Sequence, residues 1–163
     1  MVPLQVRDRM KAYVQYHDDT GACLMCQTLE DELAEGSRIL LETPHFVSFI
    51  PYAALSPFHI WIFPKVHRAC FGDIGDEPLK DLARVLRTTL IMLDRALRNP
   101  DYNLVLRSVG PRDGDSEVFH WYVAIVPRVS KAAGFELGTG MYINTSLPEE
   151  SAAFLRSVAL PKP

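Results

Sequence analysis

The stretch that most constrains this chain is residues 117–128, which read Glu-Val-Phe-His-Trp-Tyr-Val-Ala-Ile-Val-Pro-Arg. Large apolar side chains alternate there with a second set that contains His120, Tyr122 and Ala124. Because successive side chains of a strand point to opposite faces, the alternation predicts a strand with one face on a core and the other on a pocket. A satisfied, partly buried histidine and an ordinary strand tyrosine would give the same pattern, so its meaning depends on the rest of the chain.

The other apolar patterns predict an α+β domain. Strands are expected at residues 37–43, 45–50, 58–63 and 102–109, and helices at residues 6–16, 27–35, 77–98 and 148–158. The clearest helix is 77–98, where leucines recur at spacings of three and four. Short connections favour a mostly antiparallel sheet with this helix across one face. Residues 18–21 are expected to form a turn, residues 128–140 to be irregular and the tail 159–163 to fray.

Length and composition fit a single globular domain over residues 1–163, with 48% hydrophobic and 23% charged residues. The net charge of −3 gives no bulk attraction to nucleic acid or to an anionic membrane. No apolar run approaches the ~20 residues of a membrane span, and the first residues lack a signal-peptide core. The three cysteines do not form a disulfide framework, so a cytoplasmic location is expected.

Two of the cysteines form the motif Cys23-Leu-Met-Cys26, which is found in redox pairs, in zinc half-sites and by chance. A turn rather than a strand precedes the motif, which weakens the redox interpretation. Zinc needs two further ligands, and the candidates are His17, His45, His59, His67, Cys70 and His120. The expected end of a strand before His67 and the pocket face that carries His120 favour these two, with His59 as the main rival and Cys70 as a substitute.

Several segments together resemble the histidine-triad superfamily, and within it the galactose-1-phosphate uridylyltransferase branch with its ADP-sugar phosphorylase relatives. They are Cys23-x-x-Cys26, Phe46-Val-Ser-Phe-Ile-Pro-Tyr-Ala-Ala with Pro57-Phe58, Ile62-Phe-Pro-Lys-Val-His67, Tyr102-Asn-Leu-Val-Leu, Phe119-His-Trp, and Gly134-Phe-Glu-Leu-Gly-Thr-Gly with Ile143-Asn and Pro148-Glu. The likeness runs over residues 13–156 and is greatest to the C-terminal lobe of these two-lobed enzymes, standing alone.

The resemblance implies a histidine-triad-like sheet, mostly antiparallel and carrying helices, and a structural zinc ion. Its ligands would be Cys23, Cys26, His67 and His120, which agrees with the spacing argument. Four protein ligands leave no open coordination position, so the metal would not activate water. The resemblance also implies a homodimer.

The chain departs from the family at the residues that carry the chemistry. The family transfers nucleotides through the middle histidine of His-x-His, and the matching residue here is Tyr122, followed by Ala124 at the third triad position. A phenol with a pKa near 10 is a poor nucleophile. The carboxylates of residues 113–117 would also repel a phosphate. In the two-lobed enzymes the nucleophile belongs to the N-terminal lobe, so its loss from this lobe is unsurprising.

Three functions follow as alternatives. The first is a zinc domain without its own nucleophile that binds a nucleotide or sugar phosphate through Asn103, Arg107, Tyr122 and Arg128. The second is an active nucleotidyltransferase or hydrolase that uses Tyr122 or a partner chain. The third is a protein-interaction module that docks through the basic helix 6–16 and the long apolar helix face.

Overall fold

A computed structural model describes residues 3–110, 117–131 and 133–160. The elements are, in chain order, α1 (Leu4–Thr20), α2 (Leu24–Glu35), β1 (Ile39–Glu42), β2 (Phe46–Phe49), β3 (Ile60–Pro64), α3 (Asp76–Leu97), β4 (Tyr102–Arg107), β5 (Tyr122–Pro127), α4 (Gly134–Thr139) and α5 (Pro148–Arg156). A 3₁₀ turn, Phe71–Asp73, precedes α3. Within the described ranges, no helix is both long and apolar enough to cross a membrane.

The strands form one five-stranded sheet in the order β1-β2-β3-β5-β4, and every neighbouring pair is antiparallel. The long helix α3 packs against one face, where the hydroxyls of Ser48 and Thr89 are 3.2 Å apart. Its buried side chains are Asp81, Leu82, Val85, Thr89, Met92 and Leu93, the inner side of the leucine stripe. The predicted α+β fold, with one long helix across an antiparallel sheet, is therefore confirmed.

The ends of several elements differ from the sequence predictions. Helix α1 continues through residues 18–20, where a turn was expected, and ends at Gly21, whose φ of 73° is left-handed. Residues 134–139, expected to be irregular, form α4 because Glu136 Oε2 accepts a 2.9 Å hydrogen bond from the Ala133 N–H and Gly140 closes the helix. The predicted fraying of the tail falls partly on residues 161–163, outside the described ranges.

The strand predicted over residues 117–128 is shorter than expected. It begins at Tyr122, so His120 and Trp121 precede it. The Trp121 N–H donates a 2.8 Å hydrogen bond to the carbonyl of Arg68. Because Arg68 lies beyond the end of β3, Trp121 is not part of the β3–β5 ladder, and β5 starts one residue later. The carboxylate-rich loop before the strand, residues 113–116, lies outside the described residues, so its predicted effect on a phosphate stays a prediction.

Candidate metal centre and phosphate-binding face

The topology of the sheet brings the cysteines and two histidines together. His67 follows the end of β3 and His120 precedes the start of β5, and β3 and β5 are antiparallel neighbours. The end of one strand and the start of the other therefore meet at the same end of the sheet. Cys23 is the N-cap residue of α2 and Cys26 lies in its first turn.

The ligand atoms of Cys23, Cys26 and His67 all lie within 4.8 Å of one another. Cys26 Sγ is 3.1 Å from His67 Nδ1 and 3.3 Å from His120 Nδ1. In a tetrahedral zinc site with ordinary Zn–S and Zn–N bonds, a sulfur and a nitrogen ligand are about 3.5 Å apart. Cys23, Cys26 and His67 thus have the donor atoms and nearly the spacing of a zinc site, and His120 Nδ1 approaches Cys26 without belonging to that group of three.

The electrostatics of the cluster favour the metal-binding protonation state at Cys23 and at His120, but not at Cys26. A hydrogen bond from the Cys26 thiol lowers the pKa of Cys23 to about 5. The same interaction, together with burial, raises the pKa of Cys26, so the pair retains one proton until a cation displaces it. Burial, with a smaller effect from His67, lowers the pKa of His120 to about 4, which keeps this ring neutral. A thiolate and a neutral imidazole are the forms that bind metal.

The rival ligands lie elsewhere. His59 is 4% exposed, and its Nε2 accepts a 3.2 Å hydrogen bond from the Trp61 indole N–H. Cys70 is a buried free thiol outside the cluster of Cys23, Cys26 and His67. Neither residue joins the described cluster, and the zinc assignment itself stays a prediction.

Tyr122, at the family's nucleophile position, is only 2% exposed. Its ring stacks on Phe63, with centroids 4.7 Å apart and planes at 8°. Tyr13 of α1 covers the same region: burial, followed by the charge and hydrogen bonding of Tyr122, raises the pKa of the Tyr13 phenol. The expected pocket face at Tyr122 is therefore covered in the described structure, because Tyr13 of α1 lies against it. The sequence gives no direct sign of this long-range contact.

The four predicted ligand-binding residues share one face of the sheet but lie near its two ends. Arg107 pairs with Tyr122 across the ladder, and its guanidinium carbon lies 6.0 Å from the Tyr122 ring centroid. Asn103 pairs with Val126, and Arg128 follows the end of β5. Four strand residues span about 13 Å, so one phosphate group cannot reach both ends. Arg107 and Tyr122 form one possible site, and Asn103 and Arg128 lie apart from it.

A cavity of ≈ 420 Å³, which the sequence does not predict, opens beside this face. Its aromatic walls are Tyr52, which is 76% exposed, and Trp61, whose ring lies 5.0 Å from that of Tyr122. Glu32 and Arg38 line it as an ion pair at 2.6 Å. The sequence feature that could have indicated it is Tyr52, an aromatic residue in the loop after β2.

Comparison with known proteins shows which family the chain resembles. The family model described as galactose-1-phosphate uridyl transferase, C-terminal domain, matches residues 9–158 of the sequence. ADP-glucose phosphorylase of Arabidopsis thaliana is 35% identical over 162 residues, which cover 98% of this chain and 45% of that protein. Galactose-1-phosphate uridylyltransferase of Thermotoga maritima is 27% identical over a match that covers 95% of this chain and 51% of that protein.

Among solved structures, the Arabidopsis thaliana ADP-glucose phosphorylase with bound ADP-glucose superposes with a TM-score of 0.86 at 36% identity. The match covers 98% of this chain and 51% of that one. A HIT-like protein from Bartonella henselae, 16% identical with a TM-score of 0.56, shares the fold. The chain thus spans about half the length of the first two curated relatives, and it belongs to the galactose-1-phosphate uridylyltransferase family, matching the C-terminal domain.

Proposed function

We propose that this chain is a zinc-stabilised histidine-triad-like domain that has no nucleophile of its own and binds a nucleotide or sugar phosphate. The observation that carries the zinc part is the convergence of Cys23, Cys26 and His67, with His120 Nδ1 3.3 Å from Cys26. The chain's relation to nucleotidyl-transferring enzymes supports the choice of ligand class.

The zinc would hold together three separate parts of the fold. It would link the start of α2 to the loop after β3 and to the segment before β5. A closed four-ligand site supplies folding free energy and no open position for chemistry. The free thiols fit a reducing compartment, and we propose the cytoplasm.

Metal analysis of the purified protein tests this proposal. About one zinc per chain is expected, and a chelator should lower the unfolding midpoint by an amount that added zinc restores. His67→Ala should lose the metal, whereas His59→Ala, the matched change at the rival histidine, should retain it. Metal-free wild-type protein that is indifferent to zinc would overturn the proposal.

The proposed ligand site combines the cation at Arg107 with the cavity beside Trp61. Arg107 and Trp61 flank Tyr122 on the same face, and Arg107 is close enough to contribute to the lowered pKa of His59. A guanidinium suits a phosphate, and the rings of Trp61 and Tyr52 suit a planar base or an apolar sugar face. Tyr122 itself would contribute packing, since its phenol is buried.

Titration calorimetry with ADP-glucose, UDP-glucose, ADP and UDP tests the ligand site. Binding should weaken about tenfold or more in Arg107→Gln, because a charge-assisted hydrogen bond contributes roughly 1.5–3 kcal/mol. The matched control is Arg84→Gln on the exposed side of α3, which should bind normally. If no binding heat is measured at millimolar ligand, and no ligand competes with another, the proposed ligand site is wrong. The zinc proposal would be unaffected.

A further inference from the structure

A second cavity, of ≈ 350 Å³, lies beside the start of α3, at the end of the sheet that carries the metal cluster. Its apolar lining consists of Phe46, Pro64, Val66, Ile74, Pro78 and Trp121. The rings of Phe46 and Trp121 are 5.9 Å apart and 1% exposed, so this wall is part of the rigid core. The volume is near the lower limit of ligand pockets, about 300–1,000 Å³, and suits a small molecule better than a segment of chain.

This cavity and the proposed phosphate site lie on opposite faces of the sheet. Pro64 lines the cavity, and the residue before it, Phe63, stacks on Tyr122. Because successive side chains of a strand point to opposite faces, Pro64 and Tyr122 face different ways. A ligand in this cavity would therefore be additional to the proposed nucleotide or sugar phosphate.

Two opposite charges line the cavity without forming a pair. The side chains of Arg68 and Asp73 are both exposed. The ion pairs found among the described residues include neither of them. The backbone of Arg68 is nevertheless fixed, since its carbonyl accepts a 2.8 Å hydrogen bond from the Trp121 N–H. A cation and an anion in these positions can each bind a ligand group of the opposite charge.

His45 completes the polar lining, and its backbone is held at both ends. Its N–H donates a 3.1 Å hydrogen bond to Oδ2 of the buried Asp81, and its carbonyl accepts a 2.8 Å hydrogen bond from the Lys65 N–H. The imidazole can donate or accept one further hydrogen bond. The cavity thus combines an apolar interior with a few polar groups on a fixed backbone, as ligand pockets do.

We propose that this cavity binds a free α-amino acid with an aromatic side chain. The guanidinium of Arg68 would bind the ligand carboxylate, the carboxylate of Asp73 would bind the ammonium, and the apolar walls would enclose the ring. A ligand that carries only a negative charge would be repelled by Asp73. An uncharged apolar molecule would use neither charge. The amino acid is the small ligand whose charges and ring match all three parts of the lining.

An NMR titration with L-phenylalanine up to about 10 mM tests the ligand class. Saturable shifts are expected in the amide signals of residues 65–77. N-acetyl-phenylalanine lacks the ammonium, phenylalaninamide lacks the carboxylate and alanine lacks the ring. Each should bind about tenfold or more weakly, because it loses a charge-assisted hydrogen bond or the burial of apolar area. No binding of phenylalanine, or equal affinity for all four compounds, overturns the proposal.

Variants of the two charged residues test their roles. Arg68→Gln and Asp73→Asn should each weaken phenylalanine binding about tenfold. Arg68→Gln should leave the weak binding of phenylalaninamide unchanged, and Asp73→Asn that of N-acetyl-phenylalanine, since the matching ligand charge is already absent. The controls Arg84→Gln and Asp94→Asn change exposed residues of α3 outside the cavity lining and should bind phenylalanine as wild type does.

Circular dichroism should show all four variants folded, because the replaced side chains are exposed. Unchanged phenylalanine binding in Arg68→Gln and Asp73→Asn overturns the assignment of the two charges, and with it the amino acid as the ligand. ADP-glucose should not displace phenylalanine, because the two sites lie on opposite faces. Displacement would show that phenylalanine binds in the proposed nucleotide site instead.

Discussion

Cys26 Sγ lies 3.3 Å from Nδ1 of His120, although 94 residues separate them in the chain. The contact joins the first turn of α2 to the segment that leads into β5. Neither residue belongs to the sheet, so their approach must be stabilised by something other than the strand ladder. A shared metal ion would provide that stabilisation.

Cys26→Ala should therefore destabilise the zinc-loaded protein by several kcal/mol, because zinc affinity at such sites is folding free energy. The matched change is Cys70→Ala at a buried cysteine outside the cluster, which should cost about 1 kcal/mol for the small cavity. Urea unfolding with and without chelator separates the two. Chelator should shift the midpoint of Cys70→Ala and leave that of Cys26→Ala in place. Equal chelator sensitivity in both variants would contradict a metal bound through Cys26.

Sequence reasoning could predict the cluster because it depends on local order and sheet topology. His67 lies shortly after a strong strand, His120 lies shortly before another, and antiparallel pairing of the two strands places both histidines at one end of the sheet. The chain order alone does not predict that β3 and β5 are neighbours, and what the family resemblance adds is the set of four expected ligands.

The covering of Tyr122 could not be predicted in the same way. Tyr13 belongs to a helix whose apolar stripe is weak, and it is the one residue of α1 that the structure shows as buried. Nothing in the spacing of residues 4–20 indicates which strand this helix contacts. The sequence therefore predicts an open pocket face at Tyr122, whereas in the structure the ring of Tyr13, distant in the chain, covers it.

Tyr122 should form no covalent nucleotide intermediate. Its phenol is buried against Phe63 and Tyr13, where a phosphate cannot align for attack. After incubation with UDP- and ADP-sugars, intact-mass spectrometry should find unmodified protein. Tyr122→Phe should instead cost about 1 kcal/mol in urea unfolding, through loss of its interaction with Tyr13. A nucleotide adduct that appears in wild type and disappears in Tyr122→Phe would show that the residue is catalytic.

Acid should weaken the fold through His59. Burial, with a smaller contribution from Arg107, lowers the pKa of His59 to about 4. The unfolded chain, with an ordinary histidine pKa near 6.5, binds a proton first, so this contribution is complete above pH 6.5 and is lost as the pH falls toward 4. At pH 5.5 the loss is about 1 kcal/mol relative to pH 8.

The check is urea unfolding of wild type and His59→Gln at pH 8 and pH 5.5, both saturated with zinc. Glutamine can still accept the Trp61 N–H but does not titrate. The variant should lose about 1 kcal/mol less on acidification, while His45→Gln, at a partly exposed histidine, should behave as wild type. Identical acid sensitivity in wild type and His59→Gln would assign the effect to other groups, the metal ligands included.

Removing one member of the buried ion pair of Glu32 and Arg38 should lower the free energy of unfolding more than replacing both members. Arg38 Nε lies 2.6 Å from Glu32 Oε2, and the Glu32 side chain is only 3% exposed. The other Glu32 oxygen accepts the Tyr52 N–H at 2.9 Å, so the network fixes the loop beside the 420 Å³ cavity. Arg38→Met leaves this carboxylate buried without its cation and should cost about 3–5 kcal/mol.

Replacing both partners, as Glu32→Leu with Arg38→Met, removes the buried uncompensated charge and leaves only the partly exposed Glu149 without its cation. Part of the loss should therefore be recovered, since hydrophobic pairs often substitute for buried ion pairs. Lys80→Met is the matched control: its partner Glu77 is 2.6 Å away, but both side chains are more than half exposed. That change should stay within about 0.5 kcal/mol. Urea unfolding of these three variants and of the wild type decides the matter. If Arg38→Met and Lys80→Met lower the free energy of unfolding by equally small amounts, water already screens the Glu32 carboxylate. The ion pair would then not be what stabilises the cavity wall.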